Sequence, residues 1–319
     1  MKREIESTKI QKGMFSVVVP VYNSEKSLRI LYERLSNIFK QIEVEFELIL
    51  VDDSSSDDSY KVMNELYEEH SNVKIIQMAK NFGQHKAIMC GLGYVEGEYV
   101  VTMDDDLQHP PEEIPKLIEA LKSHEEMDVI IGTYDSKKHN VIRNLGTKTM
   151  NRITSFIFNK DVNLKLTSFR LMRRFIADAL VASKTVTPRI GTMLLQVSNR
   201  IMNVTVHHDE RKFGRSGYSF KRLVKDLINN IINNSDFPLR FLGGFGLLCF
   251  IVSILGALYY IVRYFVVGVS VPGWTTLIVV LLLFFGLMLF AIGLLGRYMM
   301  RIMKASQGMP IYVERKVDL

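Results

Sequence analysis

The run VVTMDDDLQHPPEEIP, residues 100–115, ends an apolar stretch with three consecutive carboxylates, Asp104, Asp105 and Asp106, just before a Pro-Pro pair. Like charges this close repel, so the triplet needs open solvent or a compensating cation. Asp104 and Asp106 have the chemistry to hold Mg2+ or Mn2+, hard cations that take carboxylate oxygens and bridge to phosphate oxygens. Alone, the pair is a weak signal, because acidic turns are common. Its context decides.

Stepping outward, apolar runs of strand length recur at 15–22, 46–53, 73–78, 99–106 and 127–133. Between them EKSLRILYERLSNIFKQI and DSYKVMNELYEEHS place apolar residues at helical spacing, and PEEIPKLIEALKS opens with Pro111 and acidic residues, as helix starts do. Alternating strands and helices predict an α/β fold with a mostly parallel sheet covered on both faces. Ligands bind such sheets at the carboxyl ends of the strands. Polar residues gather at three of those ends: Tyr22-Asn23, Asp52-Asp53 and Asp104 to Asp106. Together they predict one crevice. No glycine-rich phosphate loop follows the first strand, so a bound nucleotide diphosphate would need a cation to offset its charge, and the acidic pair can hold one. Each piece has a plainer reading as well. Asp52 and Asp53 could simply end a strand, His207-His208 fits a solvated strand end, and His85 and His109 fit groups beside the site or on the surface.

Bulk composition narrows the classes. A chain of 319 residues allows one large or two smaller domains, and 40 Lys+Arg against 34 Asp+Glu is too slight an excess to argue for nucleic acid. Two distant cysteines, Cys90 and Cys249, exclude a disulfide framework and fit a reducing compartment. The first residues, MKREIESTKIQKGM, carry no stretch of signal-peptide type.

Near residue 237 the composition changes. No charge interrupts Phe241 to Val262 or Trp274 to Gly296, and each run can cross a hydrocarbon core of about 30 Å as a helix. The short link with Pro272 and Gly273 makes a hairpin of them, spanning 237–300 with crossings at about 241–263 and 274–296. Lys221, Arg222, Lys225 and Arg240 precede it, and Arg297, Arg301 and Lys304 follow. The positive-inside rule then puts both termini in the cytoplasm. Residues 218–236 set Phe220, Leu223, Val224, Leu227, Ile228, Ile231 and Ile232 on one helical stripe with basic residues opposite, the pattern of an interfacial helix. The expected organisation is a cytoplasmic catalytic domain over 1–217, that helix, the hairpin and a cytoplasmic tail over 301–319.

VVVPVYN, VDDSSSDDS, NFGQHKAIMCGL and DDDLQHPPEEIPKL together resemble the inverting family 2 glycosyltransferases of the GT-A, Rossmann-like fold. HHDERKFGRSGYSFKRL is similar to the segment before the membrane helices in the branch that loads sugars onto polyprenyl phosphates. The likeness covers nearly the whole chain. It implies that Pro20, Tyr22 and Asn23 line the donor nucleotide and that Asp52 and Asp53 bind its base and ribose. It makes Asp104 and Asp106 the metal pair, with Gln108 a further ligand, and puts Asp105 and Ser168 among the substrate-binding residues. Arg211 would contact phosphate, and Arg143 and Lys148 would lie near the acceptor. Two departures stand out: Ser168 occupies a place where members often carry Asp before Phe-Arg-Leu, and Ser216-Gly217 replaces Ser-Lys, leaving Lys212 or Arg215 to supply the missing cation. The first leaves no carboxylate base there. A phosphate monoester, with a second pKa of about 6, is already largely dianionic at neutral pH.

The implied reaction is transfer of a monosaccharide from a nucleotide-diphosphate sugar, UDP being the common carrier, to undecaprenyl phosphate at the cytoplasmic membrane, for cell-envelope glycan or lipopolysaccharide. The resemblance also implies a homo-oligomer, a tetramer in several members. Two alternatives remain at this stage: a polysaccharide synthase, whose Gln-x-x-Arg-Trp element is absent because the one tryptophan, Trp274, follows Gly273, and a non-catalytic nucleotide-sugar-binding scaffold, against which the intact acidic pair argues.

Overall fold

The structure, a computed structural model, describes residues 13–134, 164–207 apart from 184 and 186, Asp209, isolated positions between 244 and 266, and 273–319 apart from 307 and 309. Residues 1–217 with 310–319 make one compact unit and 218–309 a second.

The first unit is an eight-stranded sheet in the order β7-β5-β6-β4-β1-β2-β3-β8. At its centre β1 (Phe15–Val21) pairs in parallel with β2 (Phe46–Asp52) and β4 (Tyr99–Thr102), and β2 with β3 (Val73–Met78). These strands read as unbroken apolar runs because both faces are covered; every residue of β1 is buried. On one face, α1 (Leu28–Gln41) buries Leu28, Leu31, Tyr32, Leu35, Ile38 and Phe39, a stripe at helical spacing. It shares that core with α2 (Ser59–Glu69) and α4 (Ile114–Ser123), the latter entered through a 3-10 turn, Pro111–Glu113. The other face carries α3 (Gln84–Leu92), α5 (Arg174–Val181) and α6 (Ile190–Val197). Gly91 lets α3 press onto the sheet: a Cβ there would stand 2.5 Å from Val18 Cγ1.

The mostly parallel sheet expected from the sequence is present, with additions. β5 (Val129–Thr133) and β4 are joined through β6 (Arg170–Arg173), antiparallel to both, and β7 (Ile201–Thr205) lies parallel to β5 at one edge. At the other edge β8 (Glu314–Asp318), from within the expected tail, runs antiparallel to β3. β4 is shorter than its apolar run. Its ladders end at Thr102, opposite Val18 and Arg170, so the three carboxylates stand on the turn beyond the strand.

Helix α7 (Trp274–Ser306) contains the second uncharged run. Counted over the described residues, no helix is long and apolar enough to cross a membrane, so a hairpin across 237–300 stays a proposal. Arg143, Lys148, Arg211, Lys212, Arg215 and the amphipathic segment 218–236 lie outside the described residues.

Candidate active site at the strand ends

The parallel strands deliver the expected polar residues to one end of the sheet, where the backbone is strained. Asn23, Ser54 and Leu107 have φ of 55°, 61° and 60°, in the left-handed region, and each follows a central strand. Such conformations persist only where surrounding contacts over-determine them, and they cluster at functional sites. The contacts are present. Asn23 N–H donates to Ser55 Oγ at 3.0 Å, and its Oδ1 accepts from Ser56 N–H at 2.8 Å. Tyr22 N–H donates to Asp105 Oδ2 at 3.1 Å, tying the end of β1 to the acidic turn. Tyr22 itself stands half exposed, an aromatic face at the rim.

Asp52 and Asp53 are both buried. Asp53 Oδ1 accepts from Phe82 N–H at 2.6 Å and Oδ2 from Gly83 N–H at 2.8 Å, so its carboxylate anchors the loop that starts α3. Burial raises its pKa, with those two N–H groups pulling the other way. Gly83 is needed there, since its φ of 93° favours glycine. Asp52 accepts from Ser55 N–H at 2.9 Å and, at 3.4 Å, from Gln77 Nε2. Pro20 is buried inside β1, opposite Val51, and forms wall rather than rim.

On the acidic turn, Asp104 accepts from Gln84 Nε2 through Oδ1 and from Ser168 Oγ, at 2.6 Å, through Oδ2. Gln84 is the first residue of α3 and Ser168 precedes β6, so three separate elements fix one carboxylate. Burial raises the pKa of Asp104 against the Ser168 hydrogen bond. Burial also pushes Asp105 up to about 6, helped by the charges of its two neighbours. Asp106 accepts from Gln108 N–H at 3.1 Å. Gln108 C=O in turn accepts from Asp209 N–H at 3.0 Å, which brings the chain leaving β7 over the turn. Among the described residues no three His, Cys, Asp or Glu side chains converge as a metal site. An ion held here would rest on the acidic pair and on its substrate.

Two contributors escaped the sequence reading. Gln84 was visible only as part of NFGQHKAIMCGL, and its bond to Asp104 joins residues twenty apart. Arg170, within TSFRLM, is 3% exposed and acts on Asp104 from inside the sheet; a lone arginine in an apolar strand was its one signal. His109, expected beside the site or on the surface, is buried with its ring 5.4 Å from that of Phe169. His207 is largely exposed at 3.2 Å from Asp209, and His208 lies outside the described residues.

A mostly parallel sheet with acidic turns at its carboxyl ends is an α/β enzyme framework, and residues 16–181 match the glycosyl transferase family 2 profile. The chain belongs to that family and is a glycosyltransferase. It is 35% identical over 305 residues to the undecaprenyl-phosphate 4-deoxy-4-formamido-L-arabinose transferase of Proteus mirabilis, covering 95% of this chain and 93% of that one. The enzyme of the same description from Yersinia enterocolitica is 34% identical over 318 residues, covering 98% and 95%. In fold it is similar to glucosyl-3-phosphoglycerate synthase of Mycobacterium tuberculosis, solved with UDP, at TM-score 0.52 and 18% identity over 72% of this chain and 83% of that one. The fold is GT-A.

Proposed function

We propose that this chain transfers a monosaccharide from a nucleotide-diphosphate sugar, a UDP-sugar, to undecaprenyl phosphate, as an inverting, divalent-metal-dependent enzyme of the cytoplasmic membrane. One observation carries the reading. Relatives named undecaprenyl-phosphate transferases align over 95% of the chain, and so extend well beyond the 16–181 match into most of the second unit.

The acidic turn fits a hard divalent cation. Its donors are carboxylate oxygens, crowded and desolvated enough to raise Asp104 and Asp105, and the hydrogen bonds holding those two come from neutral groups. Asp104 and Asp106, with Gln108, would hold Mg2+ or Mn2+. Bound there, the ion would stabilise charge on the departing diphosphate, a contribution of several kcal/mol (about three decades in rate or more).

The remaining roles fall to protein groups. Tyr22 and Asn23 line the nucleotide from the rim, with Pro20 behind them. Asp52 and Asp53 shape the base and ribose pocket, Asp53 by holding the Phe82–Gly83 loop. Ser168 donates to Asp104 and carries no carboxylate, which suits an acceptor that arrives ionised and needs positioning more than deprotonation. Arg211, Lys212 and Arg215, with Arg143 and Lys148, draw the lipid phosphate to the interface. In-line attack by its oxygen inverts the anomeric centre.

The uncharged runs support membrane anchoring. A helix of 33 residues such as α7 rises about 50 Å, and it turns Leu277, Phe285, Met288 and Ile292 outward, each more than half exposed. The family resemblance adds a homo-oligomer. The test is glycolipid formation by the purified full-length protein with undecaprenyl phosphate, a panel of nucleotide sugars, and Mg2+ or Mn2+ added or chelated. Product that needs the metal is expected. Release of nucleoside diphosphate without glycolipid, for every sugar tried, would sink the acceptor assignment.

A further inference from the structure

Asp104 is held from two sides, by Ser168 Oγ at Oδ2 and by Gln84 Nε2 at Oδ1. The two donors differ in how they are themselves held. Ser168 stands close before β6, and its C=O accepts from Thr102 Oγ1 at 2.8 Å, so the sheet places it. Gln84 is exposed and carries a long, rotatable side chain, so packing alone does not fix its amide. Its backbone has to.

That backbone is tied to Asp53, the buried carboxylate just past β2. Asp53 Oδ1 accepts from Phe82 N–H at 2.6 Å and Oδ2 from Gly83 N–H at 2.8 Å. Lys80 and Lys86 stand 5.0 and 5.6 Å from the Phe82 ring centre, which steadies the same joint. Gly83 then turns at φ 93° and ψ 149°, a conformation that favours glycine, and its C=O accepts from Lys86 N–H at 2.9 Å and Ala87 N–H at 3.2 Å. Those two bonds start α3, whose body is seated on the sheet, with Ala87 to Leu92 all buried. A continuous path of hydrogen bonds and consecutive residues therefore runs from Asp53 through Phe82, Gly83 and Gln84 to Asp104.

We infer that Gln84 is a positioning residue for Asp104 and that Asp53 sets it through Phe82 and Gly83, so that a carboxylate at the nucleotide end of the crevice governs how tightly the acidic turn binds its metal. The inference rests on the proposed function, in which Asp104 holds the ion and Asp53 shapes the nucleotide pocket. A carboxylate oxygen has two lone pairs, so a donor on Oδ1 orients the group and leaves it able to take a cation. Partners that orient a metal's ligands are worth about 10–100-fold in affinity. Asp53 acts at one remove further, and its effect on the ion is smaller.

The test is titration of the purified full-length protein with Mn2+ alone, read from the EPR signal of the free ion, so that neither nucleotide nor turnover enters. Gln84→Met, which keeps the length of the side chain and removes the donor, should weaken Mn2+ about tenfold or more. Gly83→Ala should weaken it several-fold through the backbone, because the added Cβ meets nothing within 4 Å. Asp53→Asn should weaken it about threefold or more, and should add little once Gln84→Met is present, as members of one path do. Lys74→Ala, at the opposite end of the sheet, loosens the fold without touching the path and should leave Mn2+ affinity unchanged. Equal losses in Lys74→Ala, full additivity of Asp53→Asn with Gln84→Met, or wild-type affinity in Gln84→Met would each overturn the inference. A wild type that takes up no Mn2+ counts against the metal assignment instead. Hydrogen exchange of the Phe82 and Gly83 amides then decides the path, since Gln84→Met should speed it several-fold and an unchanged rate would refute the link.

Discussion

The two ends of the central sheet each bury carboxylates, and they treat them in opposite ways. At the amino ends, Glu47 is 2% exposed, accepts from Ser16 Oγ and from Glu96 N–H at 2.6 Å, and meets Lys74 Nζ at 2.7 Å. Ser16 in turn accepts from Gly97 N–H at 2.8 Å, so one carboxylate clamps the starts of β1, β2 and β3 and the approach to β4. At the carboxyl ends, Asp104 and Asp105 are held by Gln84, Ser168 and Tyr22, all neutral, and both are shifted upward by burial. Arg170 helps ionise Asp104, while among the described residues its Nε and Nη1 find no hydrogen-bond partner. A carboxylate given its own lysine is a brace. Among the described residues, Asp104 and Asp105 are given none.

Exchanging the consequences of the two ends is the way to break this contrast. Asp106→Ala should lower kcat/KM by about three decades or more, since the metal's share of leaving-group stabilisation is several kcal/mol, with the melting temperature kept. Chelation should do the same to the wild type, and full activity in the variant would end the metal assignment. Lys74→Ala should show the reverse. Uncovering the buried Glu47 charge costs about 3 kcal/mol, or roughly 6–12 °C in Tm, while kcat/KM below the transition is unchanged.

Smaller effects sharpen the same line. His85, held down to about 4 when folded, binds a proton more readily in the unfolded chain, whose histidines titrate near 6.5. Its contribution to stability is therefore present above pH 6.5 and is lost as pH falls toward 4, by about 2 kcal/mol at pH 5. Wild type and His85→Gln should converge in Tm across that window, and parallel curves would refute the neutral buried imidazole. Ser168→Ala should cost about 1 kcal/mol, a several-fold rise in the metal concentration for half-maximal rate, with little change in Tm.

The parallel core was legible because burial on both faces writes strands as apolar runs, and β1, β2, β3 and β5 fall inside the predicted segments. β7 and β8 were not. β7 is half-exposed along its length, and β8 keeps charged residues such as Arg315 and Lys316, so neither edge strand reads as a buried apolar run. β6, with an arginine at each end of four residues, was hidden for a related reason. Helix α3 was obscured by its own burial: Ala87 to Leu92 are all buried, so no polar side marks the period. At the site, the acidic triplet was readable because nothing in a core explains it. The serine and glutamine that aim Asp104 come from 64 and 20 residues away, distances that only folding closes.

β8 has one further consequence. Tyr94 Oη donates to Glu314 at 2.7 Å, and Ala79 N–H to Val313 C=O at 2.8 Å, so the edge of β3 is sealed by residues that come after the whole 218–309 unit. A ribosome that has finished residue 217 has made a sheet with an open border, the kind that recruits stray strands. Closing it must wait until the second unit has been synthesised. Completion of the first unit is thereby a late event in the life of the nascent chain, timed by what lies between.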